Sequence, residues 1–216
     1  MNDDMNFYKL DRIRKYFMRD NGQCDHFFKK GVIFNILISA PHAVSQVRLG
    51  RNKVSEIGSL KTALWLGKKT GVSCLIKTKN NYDDANWDEK SEYKDCLFSE
   101  IENNDIRYIL DFHGLGSHRL CDVNLGTNMG KNIENDIPLF DWLVNKLKRS
   151  GIVVCIDQPF NAGNHTISGS SKIKFNHLWT LQIEINTNIT NKIENFEKYR
   201  KIIQVFTEFI DKINRD

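Results

Sequence analysis

The sequence predicts an α/β fold, a three-layer α/β/α arrangement with a mixed, mostly parallel central sheet. Short apolar, β-branched segments recur along the chain, and longer segments with helical periodicity lie between them. No repeat, low-complexity tract or linker rich in Pro and Gly interrupts this alternation. Such alternation is typical of a parallel sheet that is covered by helices on both faces.

The strand candidates have the continuous apolar character of a sheet that is buried on both faces. Three of them are pronounced: Val32–Ala40, Ile106–Phe112 and Ile152–Asp157. Two shorter segments, Val72–Lys77 and Leu178–Ile185, are also predicted strands.

Four segments between and after these strands are predicted helices: Val54–Lys69, Glu89–Asn103, Pro138–Ser150 and Asn195–Asn214. The last of them carries apolar residues on one side at three-and-four spacing. We interpret this stripe as core packing rather than as a binding surface.

The length of 216 residues suits one substantial domain. We therefore predict a single α/β domain over residues 31–216, preceded by an N-terminal helical arm over residues 1–30. The charge is balanced, with 31 basic and 27 acidic residues that are mixed along the chain. Because no basic stripe is visible, we do not expect nucleic-acid binding.

No apolar stretch approaches the roughly 20 residues of a membrane helix, and the first twenty residues are dense in charge. We therefore expect no membrane association and a cytoplasmic location. The five cysteines are scattered and form no C-x-x-C pair. This pattern favours reduced thiols over a disulfide framework or a cysteine zinc site.

Three polar side chains lie where predicted strands end: His42, His113 and Glu184. Ligands of open α/β sheets bind outside the carboxyl ends of the strands, so these residues are expected to meet in one cleft. Two histidines and a carboxylate are the ingredients of a zinc hydrolase site, in which three protein ligands leave a fourth position for water. Glu56, at the start of a predicted helix, is the best third ligand; alternatively, it only favours the helix dipole.

Two further carboxylates have predicted roles in the same cleft. Asp111 shares a strand face with His113 and could orient its imidazole from behind, or it could be a structural residue that loop amides satisfy. Glu184 lies among apolar residues on a core strand, where a carboxylate is costly without a role or partner. A general base suits it, and a structural ion pair is the alternative.

Three segments, Ile38–His42, Asp111–Gly114 and Gln182–Asn186, resemble the N-formylglutamate amidohydrolase family, which is similar in fold to the zinc carboxypeptidases. The resemblance runs in order from about residue 32 to residue 190, and it implies that the three-layer α/β/α fold is of the phosphorylase/hydrolase-like kind. Supporting segments are Arg48–Glu56, Asn86, Tyr93–Lys94, Asp122–Thr127 and Pro159–Gly163.

The resemblance implies one Zn²⁺ ion on His42, Glu56 and His113, with Glu184 as general base. It also implies a substrate that is an acylated amino acid, such as N-formylglutamate, or a small amide. A carboxylate on that substrate would need a cationic clamp, which the planar fork of arginine suits. The candidate substrate-binding residues are Arg51, Arg119, Asn164 and His165, with Arg48 as a further cation.

Two departures from the family pattern keep other functions open. The family usually shows His-x-Gly after the proline, whereas Ala43 and Val44 follow His42 here, and Thr187–Ile189 replace a basic residue that often follows the last strand. The leading prediction is a metal-dependent hydrolase of non-peptide amide bonds. The alternatives are a catalytically altered binding or regulatory protein with the same fold, and a metallopeptidase that acts on small or cell-wall peptides.

Overall fold

The computed structural model describes residues 26–215. Most of the predicted N-terminal arm, residues 1–25, lies outside the described residues. The strands are β1 (His26–Lys29), β2 (Ile33–Ala40), β3 (Gln46–Arg48), β4 (Arg51–Lys53), β5 (Val72–Lys77), β6 (Tyr108–Leu115), β7 (Val123–Gly126), β8 (Val154–Ile156) and β9 (Trp179–Asn186). The α-helices are α1 (Ile57–Thr70), α2 (Glu92–Asn103), α3 (Ile137–Arg149), α4 (Ile167–Lys174), α5 (Thr187–Asn191) and α6 (Phe196–Ile213).

Seven strands form the central sheet in the order β1-β5-β2-β6-β9-β7-β8. Strands β5, β2, β6 and β9 are parallel neighbours. Strand β7 is antiparallel to β9 and parallel to β8, while β1 is antiparallel to β5 at the other edge. The predicted fold class, a mixed and mostly parallel sheet in an α/β protein, is confirmed.

Helices cover both faces of the sheet. Because successive side chains of a strand point to opposite faces, they pack into two separate cores. Ile38 and Phe112 point into the larger core, which α1, α3 and α6 cover. Leu37, which adjoins Ile38 on β2, points into the smaller core beneath α2. Ile109, on β6 like Phe112, does the same. Burial on both faces explains why the sequences of these strands are almost continuously apolar.

The five strands predicted from the sequence correspond to β2, β5, β6, β8 and β9 to within a few residues at each end. The prediction for β5, Val72–Lys77, matches its bounds residue for residue. Strand β6 continues to Leu115, beyond the predicted end at Phe112, because its pairing with β9 extends through Asn186. Residues 26–29 of the predicted arm form an edge strand on β5, so the sheet begins before residue 31. Strand β7 and the β3–β4 hairpin were not predicted, since they are short and contain polar residues.

The four predicted helices correspond to α1, α2, α3 and α6 with small shifts at their ends. The stripe on α6 is buried in the larger core, as we interpreted it. The cysteines at 74, 96, 121 and 155 are free thiols, and Cys24 lies outside the described residues. Within residues 26–215, no helix has the length and apolar character that crossing a membrane requires.

Candidate metal centre

The candidate site lies at the carboxyl ends of the parallel strands β2 and β6. His42 follows β2 in a turn, and His113 is on β6 near its end. Glu56 is the N-cap residue of α1, and its backbone N–H donates to the carbonyl oxygen of His42 at 2.8 Å. This backbone hydrogen bond ties two of the predicted ligands together although 14 positions of sequence separate them.

Four side-chain atoms of these three residues converge, two imidazole nitrogens and both oxygens of the carboxylate. The Nδ1 atom of His42 lies 2.9 Å from Oε1 of Glu56 and 3.1 Å from Nδ1 of His113. The Nδ1 atom of His113 lies 3.4 Å from Oε2 of Glu56. Both imidazoles are nearly fully buried, and the glutamate side chain is 12 % exposed. The structure thus brings together the three predicted metal ligands.

A buried carboxylate lies behind each imidazole and determines which ring nitrogen faces the cluster. Asp84 is 2.8 Å from Nε2 of His42, and Asp111 is 3.0 Å from Nε2 of His113. Because an ionised carboxylate only accepts hydrogen bonds, each Nε2 carries a hydrogen and donates it. The Nδ1 atoms therefore face the cluster, which is the arrangement that metal-binding histidines have.

The carboxylates behind the histidines are themselves held in place. The hydroxyl group of Ser39 donates to Oδ1 of Asp111 at 2.8 Å, so the predicted role of Asp111 behind His113 agrees with its contacts. The guanidinium of Arg48 donates through Nε to Oδ2 of Asp84 at 2.7 Å. Burial raises the pKa of Asp84, but His42 and Arg48 outweigh it and hold the carboxyl well below its usual range.

The cluster favours positive charge. Burial raises the pKa of Glu56, yet His42, His113 and Lys53 lower it well below its ordinary value. Burial lowers the pKa of His113, yet Asp111 and Glu56 raise it well above its ordinary value. The lowered pKa keeps Glu56 ionised, so the cluster attracts a cation.

The donor set fits a divalent metal ion. Imidazole nitrogens and a carboxylate oxygen are the ligands of a mixed nitrogen and oxygen site. When such atoms surround one ion tetrahedrally at 2.0–2.1 Å, they lie about 3.3 Å from one another. Nδ1 of His42 lies 2.9 Å from Oε1 of Glu56 and 3.1 Å from Nδ1 of His113, close to this value, while the 3.4 Å contact of His113 is made with the other glutamate oxygen, Oε2. One donor atom from each residue is therefore near enough to the others to hold one ion between them.

Glu184 is on β9, the strand beside β6, and its register partner is His113. The side chain is 5 % exposed, and its Oε1 accepts a hydrogen bond from Nε2 of Gln182 at 2.9 Å. Burial, with a smaller contribution from Glu56, raises the pKa of Glu184 to about 7, although His113 and His42 act in the opposite direction. A carboxyl group with this pKa could accept and release a proton near neutral pH.

A relay of side chains orients Glu184. The backbone N–H of Ile167 donates to Oδ1 of Asn86 at 2.8 Å, and Nδ2 of Asn86 lies 3.4 Å from Oε1 of Gln182. Because Gln182 then presents its amide N–H to Glu184, the orientation of the carboxylate depends on the start of α4. Oε1 of Glu184 is thereby engaged, and Oε2 is the oxygen that could exchange a proton.

The four predicted substrate-binding residues lie on β4 and on loops of the described chain, and their role stays a prediction. Arg51 is exposed on β4, and Arg119 is exposed in the turn after β6. Asn164 accepts a hydrogen bond from Asn128, and the ring of His165 packs edge-on against Trp87 with centroids 5.1 Å apart. Within residues 26–215, no hydrogen bond joins the side chains of these four to the metal cluster.

Two site residues escaped the sequence analysis. Asp84 belongs to no recognised motif, and the only available signal was its position in the loop that follows β5 at the carboxyl edge of the sheet. Lys53 was part of a supporting segment but had no assigned role. Its Nζ lies 2.9 Å from Nδ1 of His42 and 3.1 Å from Oε1 of Glu56.

We expect an Asp84→Asn variant to bind zinc about 10–100-fold more weakly than the unmodified protein. The amide retains a hydrogen-bond acceptor for His42 but removes the charge that makes its Nδ1 a better donor to metal. Zinc affinity measured by competition with a chromogenic chelator checks this. Asp95→Asn, on the exposed face of α2, is the matched control, and equal affinities in both variants would contradict the orienting role.

The fold and site define the class of protein: an α/β protein with a candidate metal centre at the carboxyl edge of a mixed sheet. No protein-family model and no curated protein matches the sequence. Solved structures do match it. The N-formylglutamate amidohydrolase from Ralstonia eutropha is similar with a TM-score of 0.66 and 14 % identity, over 88 % of this chain and 98 % of that one.

Two other solved structures have related folds. A bacteriophage poly-γ-glutamate hydrolase is similar with a TM-score of 0.55 and 15 % identity, over 89 % of both chains. A metallo-carboxypeptidase from Burkholderia cenocepacia is similar with a TM-score of 0.53 and 12 % identity, over 82 % of this chain and 57 % of that one. The resemblance to N-formylglutamate amidohydrolases and zinc carboxypeptidases is thus confirmed at the level of the fold.

Proposed function

We propose that this protein is a zinc-dependent amidohydrolase that cleaves the amide bond of an N-acyl amino acid, such as N-formylglutamate, or of a similar small amide. The observation that carries the proposal is the convergence of two imidazole Nδ1 atoms and one carboxylate beside a buried, proton-accepting glutamate. The names of the three similar structures, all of them hydrolases, support it.

His42, Glu56 and His113 would hold the ion, and Asp84 and Asp111 would keep the two rings in the metal-binding tautomer. Bound Zn²⁺ would supply Lewis acidity, which polarises the substrate carbonyl and acidifies water. The site thus combines an electrophile with a base on the neighbouring strand, the two functions that amide hydrolysis requires.

Glu184 would move the proton in this reaction. Its Oε2 takes a proton from the attacking water and then gives it to the leaving nitrogen, while Gln182 holds Oε1. A divalent cation nearby lowers the pKa of a carboxyl group, so the loaded enzyme would keep Glu184 ionised and ready to accept this proton at neutral pH. Burial excludes bulk water, which strengthens these electrostatic effects.

A substrate screen with and without chelator tests the proposal. The substrates are N-formylglutamate, other N-acyl amino acids, and short γ-linked and cell-wall peptides, each offered to protein that was purified without added zinc. We expect near-stoichiometric zinc and hydrolysis of an N-acyl amino acid, which a chelator abolishes and added Zn²⁺ restores. Hydrolysis that persists without any metal would contradict the proposal.

Two other outcomes of the screen correspond to the alternative functions. Cleavage of γ-linked peptides alone would indicate a metallopeptidase, a possibility that the similarity to a poly-γ-glutamate hydrolase supports. Stoichiometric zinc without turnover on any substrate would indicate a binding or regulatory protein. The turn after His42 motivates the alternative of a binding or regulatory protein. Ala43 and Val44 are both buried there, and Val44 stands where the family pattern has a glycine.

A further inference from the structure

A lysine contacts the same donor atoms that the proposed metal ion needs. Lys53, the last residue of β4, places Nζ 2.9 Å from Nδ1 of His42 and 3.1 Å from Oε1 of Glu56. These two atoms are 2.9 Å apart, and neither carries a hydrogen that it could donate to the other when the proton of His42 is on Nε2. The ammonium group therefore bridges two acceptors that would otherwise repel each other.

Nδ1 of His42 cannot accept the hydrogen bond from Lys53 and coordinate a metal ion at the same time. A neutral imidazole has one nitrogen with a hydrogen and one with a lone pair. Since Nε2 of His42 donates to Asp84, Nδ1 has the single lone pair, and Lys53 directs an N–H group at it from 2.9 Å, closer than Nδ1 of His113 at 3.1 Å. A metal ion coordinated by His42 needs that same lone pair, so it can bind only after the ammonium leaves.

We infer that Lys53 is an internal cation that competes with the metal ion for His42 and Glu56. This inference rests on the proposed metal site. Its basis is that the ammonium group donates to two of the three ligands of the candidate centre while its side chain remains 30 % exposed. The exposure gives the lysine a path outward, and the β3–β4 hairpin that carries it is separate from the central sheet.

The lysine also balances charge at the cluster. Glu56, Asp84 and Asp111 are buried or nearly buried carboxylates at this end of the sheet. Arg48 neutralises Asp84 from the far side of His42, while Lys53 contacts Oε1 of Glu56 and the imidazole of His113 contacts Oε2. The protein without metal is therefore stabilised by Lys53, whereas the protein with metal is not. The same contact should weaken metal binding and protect the metal-free state.

A pair of charge-removing variants on one strand tests the inference. Lys53→Met and Arg51→Met each delete one positive charge from β4, but Arg51 is exposed and contacts neither ligand. Zinc affinity is measured at one pH by competition with a chromogenic chelator. We expect Lys53→Met to bind Zn²⁺ about 10–100-fold more tightly than the unmodified protein, since a hydrogen bond from a charged donor no longer has to be broken. Arg51→Met should stay within about twofold, because exposed charges at a distance are screened.

Two further measurements do not depend on turnover. Without metal, Lys53→Met should melt at a lower temperature than Arg51→Met, and saturating Zn²⁺ should raise its melting temperature by more. The ¹⁵N resonance of His42 Nδ1 in metal-free protein should also shift in Lys53→Met and stay constant in Arg51→Met. Equal zinc affinities for the two variants, or an unshifted resonance, would overturn the inference. If the unmodified protein binds no Zn²⁺ at all, the proposed function itself fails.

Discussion

A Glu184→Gln variant is expected to lose about 10²–10⁴-fold in turnover rate while it keeps its fold and its zinc. The substitution preserves the size and shape of the side chain but removes the group that accepts the proton. Because the same carboxylate is proposed to protonate the leaving nitrogen, the loss should lie toward the upper end of this range. Metal content, melting temperature and rate are measured on one preparation of the variant.

The matched control is Glu194→Gln, because Glu194 is 70 % exposed and does not belong to the metal cluster. This variant should retain both rate and stability. A Glu184→Gln protein that is unstable but keeps its rate per molecule would show that the carboxylate is structural. The proposed mechanism would then be wrong, although the metal site could remain.

The second large effect is expected for the histidines. A His113→Ala variant should lose stoichiometric zinc and with it all measurable hydrolysis, since His42 and Glu56 alone cannot hold zinc against a competing chelator. His42→Ala should behave in the same way. Each variant also leaves a buried carboxylate without its imidazole partner, Asp111 in the first and Asp84 in the second, so both proteins should melt at a lower temperature.

His118→Ala serves as the control, because His118 is exposed in the turn that follows β6 and lies outside the cluster. It should keep its zinc, its rate and its melting temperature. Full zinc occupancy in either His42→Ala or His113→Ala, measured by atomic absorption after dialysis against a weak chelator, would remove that histidine from the metal site.

The sheet could be predicted from sequence to the extent that its strands are buried on both faces. Val72–Lys77 is fully buried, and its sequence is apolar apart from Ser73 and the final Lys77, which was enough to predict both of its ends. Strand β7, with Asn124 at its centre, escaped notice because a short strand with a polar side chain resembles a loop. Helix α4 has a Ser- and Gly-rich sequence without a clear stripe, so its local pattern was equally weak.

The cluster of candidate ligands could also be anticipated, and for a physical reason. Parallel strands place their carboxyl ends at one edge, so any polar residue just beyond a buried strand is directed to the same place. His42 and His113 followed from that rule. Glu56 required the further step that a residue at a helix start can turn back toward the end of the first core strand. In the structure its Oε1 lies 2.9 Å from Nδ1 of His42, and its Oε2 accepts a hydrogen bond from the backbone N–H of Gly114 on β6 at 2.9 Å.

The local sequence by itself determined the five strands with the most buried apolar residues, four of the helices and the edge at which His42 and His113 meet, because burial and periodicity leave a direct mark on composition. Only the tertiary structure decided which ring nitrogen of each histidine faces the cluster. That choice depends on Asp84, which lies 42 positions from His42 along the chain, and on Asp111, which Ser39 holds. The position of Lys53 also depends on the path of a short hairpin. Contacts of this kind join loops across the sheet and leave no periodic trace in the sequence.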